Sequence, residues 1–475
     1  MGNPAHGHPP KADLEAALVQ IDRACGSGSV VTDPDVLEAY SHDESEVERS
    51  MPDALVRARS ASDVAAVMQA AYARGIPVTP RAAGTGKVGG AVPLRGGIVL
   101  GFESMKHLKG IEKSDQLAVV EPGLVTGDLH AAVEAEGLFY PPDPNSWATC
   151  TIGGNLAANA GGPRAFKYGV TRRYALGMEI VTPTGEILRL GKQTRKGVTG
   201  YDLTALMVGS EGTLGVITEA TMALIPKAEG VATLLVFMAD ERDVEAAVVE
   251  VLKTGVVPRC IELIDRIALR LIQPHVSLPI PPGANAMLLV ELDGAIHRLE
   301  ADLETCGNAF EDAGALEVLL AQNPAERERL WAARRELSRT LRRSARYKLS
   351  EDVVVPRSRL GALLERCRRL AEEHEIVMPT YGHAGDGNLH VNFLWDTPDQ
   401  RPAVDKAIAS LFEAVVAMGG TLSGEHGIGV LKAPYLPLEQ SSGVIELQQK
   451  IKAVFDPKGL MNPGKIFPRP GHGPC

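Results

Sequence analysis

The chain has 475 residues, 45% of them hydrophobic, and a formal net charge of −10, which predicts two or three globular domains. That charge argues against a nucleic-acid binder, whose phosphate contacts need concentrated Lys and Arg, and leaves room for a small anion held by a few local cations. No apolar run approaches the roughly 20 residues that span a bilayer. The opening MGNPAHGHPPK lacks a secretory pattern and has no Ser or Thr at position 6 for myristoylation. The six cysteines are scattered without a CxxC pair, which speaks against a disulfide framework, a thiolate zinc site or an iron–sulfur cluster and fits a reducing cytoplasm.

In chain order, ADLEAALVQIDRACG (12–26) predicts a helix with Leu14, Leu18 and Ile21 on one face and Gly26 as its stop. SDVAAVMQAAYARG (62–75) predicts a second, with Ser62 as N-cap and Gly75 just past its end. IPVTPR then reads as a strand running into PRAAGTGKVGGAV (80–92), where Gly84, Gly86 and Gly89 spell GxGxxG. A Rossmann turn must open a helix, but Pro93, Gly96 and Gly97 break one, and GIVLGF has strand character. A Walker A loop fails too, because Val88 follows Gly86-Lys87 and Arg81 stands where its first glycine belongs. The stretch is therefore a strand–loop–strand, either a plain tight loop or a phosphate cradle built from backbone N–H groups.

A second glycine-rich segment, YPPDPNSWATCTIGGNLAANAGGPRAFKYG (140–169), reads as a long functional loop. MEIVTPTGEILRL predicts a hairpin turning at 183–186, and VGSEGTLGVIT (208–218) is a third glycine stretch. Three such loops suggest a large cofactor held by backbone. Beyond a boundary near Pro226 the order changes to strand–helix–strand twice over, from ATLLVFMA to ALEVLLAQ, which predicts a ferredoxin-like module. A basic helical region (323–348), a further helix at SRLGALLERCRRLAEEH and a disordered tail, PRPGHGPC, complete the reading.

The sharpest chemistry lies in YGHAGDGNLHVN (381–392) and SGEHGIG (423–429). Two imidazoles and a carboxylate, His383, His390 and Glu425, suit a divalent cation. Glycines bracketing both loops let them converge. Glu425 and His426 are adjacent, so one can ligate while the other faces a substrate; Asp386 fits a turn or an outer partner. A lone loop histidine usually bonds backbone, whereas this pattern favours a site. A metallohydrolase would explain this site and not the glycine loops.

The motifs PRAAGTG, CTIGGNLAANAGG, GSEGTLGVIT, GHAGDGNLH, SGEHGIG and MNPGK resemble those of the vanillyl-alcohol oxidase/PCMH flavoprotein superfamily. Within it the chain is similar to the FAD-dependent D-2-hydroxyacid dehydrogenases, the D-lactate dehydrogenase, glycolate oxidase catalytic subunit and D-2-hydroxyglutarate dehydrogenase type. The resemblance implies an α+β chain: an N-terminal helical segment (1–50), a PCMH-type FAD-binding domain (51–228), a ferredoxin-like substrate or cap domain (229–420), and a C-terminal helical segment (421–475) that returns to the FAD domain and completes the site, its tail disordered from about 469.

By the same resemblance, Pro80, Arg81, Ala82, Ala83, Gly84, Thr85 and Gly86 cradle the FAD pyrophosphate. Asn145, Ser146, Thr151, Gly153, Gly154, Ala158, Asn159 and Gly161 line the pyrophosphate and the isoalloxazine. Glu211, Gly212 and Ile217 meet the adenosine side or the ring edge, and Asn462 of MNPGK joins the cofactor set. No histidine stands between Pro80 and Gly90 for a covalent link, so non-covalent FAD is expected. The resemblance assigns His383, His390 and Glu425 to a divalent metal, with zinc expected, His426 to the catalytic base and Asn392 to substrate binding. Arg334, Ser338 and Lys348 would hold substrate carboxylates; Arg334 and Ser338 share a helix face, amid five further arginines at 335, 339, 342, 343 and 346. The implied reaction is oxidation of a D-2-hydroxy acid, D-lactate first, then D-2-hydroxyglutarate or glycolate. Electrons would leave to a quinone, cytochrome, electron-transfer flavoprotein or partner subunit. A homodimer, and a cytoplasmic location that can be peripheral to the membrane through that acceptor, are the family-level expectations. A non-catalytic flavin-binding subunit is the alternative within the family.

Overall fold

The computed structural model describes residues 8–276 and 278–468, so the expected tail disorder lies outside the described residues. The described chain divides into two units. The first holds the residues up to Ala160, Val170–Lys227, and the chain from Glu425 onward; the second holds Gly161–Gly169 and Ala228–Gly424.

In the first unit, helix α1 (Lys11–Cys25) buries Ala17, Ile21 and Cys25, with Leu14 and Leu18 packed at the rim, and stops at Gly26. Strand β1 (Ala54–Arg57) leads to helix α2 (Ala61–Arg74), whose N-cap is Ser60 rather than the expected Ser62. Ser60 is extended (φ −158°, ψ 164°) and its hydroxyl accepts from the Asp63 N–H at 3.2 Å, whereas Ser62 already lies in the first turn. Capping requires that non-helical backbone. Gly75 closes the helix at φ 67°, as its sequence position predicts.

Strands β2 (Val78–Arg81) and β3 (Ile98–Gly101) run parallel, with β3 between β1 and β2 and Val30–Val31 at the outer edge of β1. Parallel neighbours usually need a helical crossover. Here the glycine-rich loop makes it without one, in line with the strand–loop–strand reading. A second, antiparallel sheet orders β4 (Leu108–Glu112), β5 (Leu117–Val120), β8 (Val216–Ala223), β6 (Ala175–Val181) and β7 (Ile187–Gly191). The β6–β7 hairpin closes through the Thr182 N–H to the Glu186 carbonyl at 2.9 Å. The core joins α1 and α2 to these sheets through Val56, Val67, Met68, Ile98 and Leu100.

The second glycine-rich segment contains a helix that its sequence does not announce, α3 (Ile152–Ala158). Two glycines in its first turn lower helix propensity. Burial of Ile152 and Leu156 outweighs that cost, and a Cβ at Gly153 would stand 2.6 Å from Pro122 Cβ, so close packing needs the glycine.

The second unit is a seven-stranded antiparallel sheet between two helical layers. Its strands are β9 (Gly230–Met238), β10 (Cys260–Asp265), β11 (Ala286–Gly294), β12 (Ala315–Leu320), β13 (Tyr347–Val354), β14 (Thr380–His383) and β15 (Asn388–Trp395), in the order β12-β9-β11-β10-β14-β15-β13. The first four, with α4 (Val244–Lys253) and α6 (Ile296–Asp312), have the expected ferredoxin-like order. The three added strands extend that sheet. Helices α5 (Arg266–Ile272) and α7 (Pro324–Arg343) cover one face through Leu235, Ile264, Leu289, Leu337 and Tyr381. Helices α4, α6, α8 (Leu360–His374) and α9 (Arg401–Ala417) form the other layer. Helix α10 (Ser442–Phe455) belongs to the first unit. The five described cysteines are buried free thiols. No described helix is long and apolar enough to cross a membrane.

Candidate active site

In the first unit the three glycine stretches and the MNPGK segment meet. A methyl group at Gly212 would stand 2.7 Å from Pro80 Cγ, and one at Gly154 would touch Ala82 Cβ at 3.4 Å. Only glycine allows the first approach at van der Waals distance. Asn462 fastens the junction. Its N–H donates to the Val78 carbonyl and its Nδ2 to the carbonyls of Gly90 and Glu211, all at 2.8 Å. Arg81 is buried and donates to the His42 and Ala39 carbonyls, so its guanidinium supports the loop from behind. Ala83, Gly86 and Asn145 stay exposed, with Ala82, Gly84, Thr85, Ser146, Gly153, Gly154, Ala158 and Asn159 half-buried. Two buried polar atoms here, Thr151 Oγ1 and Asn462 Oδ1, have no hydrogen-bond partner among the described residues. Buried polar groups are normally paired. Two orphaned atoms beside a glycine-walled cradle therefore fit a polar, phosphate-bearing ligand such as FAD.

Glu211 carries a second duty. Its two carboxylate oxygens accept the N–H groups of Ile428 and Gly429, each at 2.8 Å, which ties the third glycine loop to the loop that holds His426. Burial pushes this carboxyl up against the pull of those donors. Glu211 itself sits at φ 51°, a conformation disfavoured for a residue with a Cβ. Glu211→Ala strands two N–H groups and is expected to cost about 1–3 kcal/mol for each. A lowered thermal midpoint together with a lower kcat is the expected result; unchanged values of both would show that the tie does not matter.

In the second unit, the sheet face under α5 and α7 is apolar at one end and polar at the other. The register places Glu262 opposite His383, Tyr381 opposite His390, His390 opposite Asp352 and Asn392 opposite Ser350. Residues directly opposite each other share a face, so one band collects these groups. His383 Nδ1 is hydrogen-bonded to Glu262 Oε1. The carboxylate accepts a hydrogen bond from the Nδ1–H, which leaves the Nε2 lone pair for a ligand role, the usual outer support of a metal-binding histidine. Arg334 Nε and Nη2 both donate to Glu262 Oε2, at 2.9 and 2.7 Å. Burial would raise the Glu262 carboxyl, but His383 and Arg334 overcome it and hold the group down at about 2.

His390 lies edge-on to His383, with ring centroids 5.4 Å apart. Asp352 stands 4.0 Å from His390 Nδ1 and accepts from Asn388 Nδ2 at 2.6 Å, Gly424 N–H at 2.8 Å and Ser423 Oγ at 3.1 Å. Asp352 thus fixes the segment that leads directly into Glu425. Glu425 is one peptide bond from Gly424, so chain continuity alone keeps it near this band. The ligand atoms of His383, His390 and Glu425 lie within 4.8 Å of one another. That donor set fits a divalent transition metal or zinc. His426 is half-buried and follows immediately.

Of the expected carboxylate binders, Lys348 Nζ stands 3.4 Å from Ser338 Oγ, whereas Arg334 spends two of its nitrogens on Glu262. Asn392 is fully buried; its Nδ2 donates to the carbonyls of Pro379 and His390, and its Oδ1 has no hydrogen-bond partner among the described residues. Glu262 and Asp352 escape the sequence reading. Their local signal is weak: Glu262 stands among apolar neighbours in CIELI, and Asp352 stands beside Glu351 just before VVV.

The fold and the cradle fit an FAD-linked oxidoreductase. Solved structures of the same fold include 4-ethylphenol oxidase from Gulosibacter chungangensis (TM-score 0.80, 20% identity, 97% of this chain and 98% of that one). Another is p-cresol methylhydroxylase (TM-score 0.81, 16% identity, 96% and 97%). The chain matches the FAD binding domain over residues 52–191 and the C-terminal domain of FAD linked oxidases over 227–466, and it belongs to the FAD-linked oxidase family. It is 39% identical to glycolate oxidase subunit GlcD of Bacillus subtilis over 90% of this chain and 92% of that protein. It is 35% identical to a D-lactate dehydrogenase of Anaerostipes hadrus (92% and 94%) and to a D-2-hydroxyglutarate dehydrogenase of Stutzerimonas stutzeri (93% and 96%).

Proposed function

We propose that this oxidoreductase converts a D-2-hydroxy acid to the 2-oxo acid, using non-covalent FAD and a divalent cation, with zinc expected, and passes electrons to an external acceptor. The observation that carries the reading is the convergence of His383, His390 and Glu425, with Glu262 setting the tautomer of His383. The names of the relatives support 2-hydroxy acids as the substrate class. When bound, FAD supplies a hydride acceptor and a divalent cation makes a hydroxyl easier to deprotonate.

The chain's own residues do the rest. His383, His390 and Glu425 hold the cation. His426, the residue after Glu425, accepts the hydroxyl proton. Lys348 and Ser338 bind a substrate carboxylate, while Arg334 balances the charge of Glu262 and, with its remaining nitrogen, meets the same carboxylate. Asn392 Oδ1 is a buried acceptor for a substrate donor. Together these groups present one face of C2, which is the origin of D-selectivity.

Pro80–Gly86, the 145–161 loop, Gly212, Ile217 and Asn462 hold FAD largely through backbone. D-Lactate is the first candidate, then D-2-hydroxyglutarate or glycolate. The acceptor is a quinone, a cytochrome, an electron-transfer flavoprotein or a partner subunit, met in the cytoplasm or at the membrane surface; the expected assembly is a homodimer. Anaerobic bleaching of the flavin absorbance near 450 nm, against a panel of D- and L-2-hydroxy acids, tests the reading. Bleaching by D-isomers alone is expected, and a flavin that no 2-hydroxy acid reduces would overturn it.

A further inference from the structure

The segment Gly161–Gly169 ends the second glycine-rich stretch (140–169) and is part of the second unit. Its one-turn helix, Ala165–Tyr168, packs against β10. Asp293 at the end of β11 clamps it. Lys167 Nζ donates to the Asp293 carbonyl at 2.9 Å and to Oδ1 at 2.6 Å, and the Tyr168 hydroxyl donates to Oδ2 at 2.8 Å. The Asp293 side chain is only 1% exposed, and shielding from water strengthens such charge-assisted bonds.

The clamp aims Phe166 at the histidine loop. An ideal Cβ on Gly385 would stand 2.7 Å from Phe166 Cγ and 2.9 Å from each Cδ, so the face of the ring occupies the space a side chain there would need. The Arg357 guanidinium covers the ring at 5.3 Å. From another direction, the Gly385 N–H donates to the Ile261 carbonyl at 3.2 Å, next to Glu262. Gly385 lies two residues after His383 and five before His390. The loop that joins the two imidazole-bearing strands is therefore held between β10 and one clamped aromatic ring.

We infer that Phe166 is a positioning residue of the His383–His390 loop, holding it in ligating geometry while touching neither cation nor substrate; this rests on the proposed metal site. The test measures zinc affinity of the FAD-loaded enzyme by competition with a chelator, alongside flavin absorbance and far-UV circular dichroism. Phe166→Ala is expected to weaken zinc binding by about 10–100-fold, the range typical of lost outer support, with flavin and fold retained. Phe166→Leu, which refills most of the volume, should recover much of that loss. Wild-type affinity in Phe166→Ala overturns the inference while leaving the metal site intact. Absence of zinc binding in the wild-type enzyme overturns the metal reading itself. Should Phe166→Ala fail to fold, Tyr168→Phe, which removes one donor to Asp293, decides: weaker zinc binding supports the role and unchanged affinity refutes it.

Discussion

His383→Ala is expected to abolish binding of the proposed cation and to lower kcat on the order of 10³-fold. The size follows from what leaves: a charge aimed at the reacting oxygen is among the largest single contributions to catalysis. The cradle loops lie in the other unit, so flavin content should hold. Glu262→Gln is the graded companion. It keeps the side-chain shape, removes the charge beside His383 Nδ1 and leaves Arg334 without its ion-pair partner. Zinc affinity should fall by about 10–100-fold, as for other outer-sphere carboxylates. Metal analysis of purified protein, paired with steady-state rates, checks both. A His383→Ala enzyme that keeps stoichiometric metal and turnover ends the cation assignment.

His426→Ala is the second large effect, and it separates the proton from the cation. Removal of a general base typically costs 10²–10⁴-fold. The loss should appear in kcat, with flavin and metal both retained, because the proposed site assigns the ligand role to neighbouring Glu425. Wild type and variant should also differ in the pH dependence of flavin reduction, since only a neutral ring accepts a proton. Stopped-flow reduction of the flavin at several pH values reads both features. Reduction at the wild-type rate in His426→Ala would mean that the proton leaves by another route.

Much of this was legible along the chain. Rejecting a Rossmann turn needed only Pro93, Gly96 and Gly97 after the glycines, and β2 and β3 are indeed joined by a loop. The ferredoxin-like order came from two strand–helix–strand runs, because hydrophobic periodicity is a local property. Local propensity misled where packing overruled it. The glycines at 153 and 154 hide the helix α3, which forms because Ile152 and Leu156 are buried. Ser62 is the expected cap, but the extended backbone lies two residues earlier, at Ser60, which caps the helix instead.

Read locally, the chain offers glycine loops suited to a backbone-held cofactor and His383, His390, Glu425 and His426 as candidate reactive groups. Their supports come from residues far away in the chain. Glu262 meets His383 across 121 residues of chain, Asp352 fixes the approach to Glu425, and Phe166 fills the space beside Gly385. Strand alternation says which residues of one strand share a face, but not which strand lies alongside. That choice is made by burying the whole sheet at once, and no short stretch of sequence contains it.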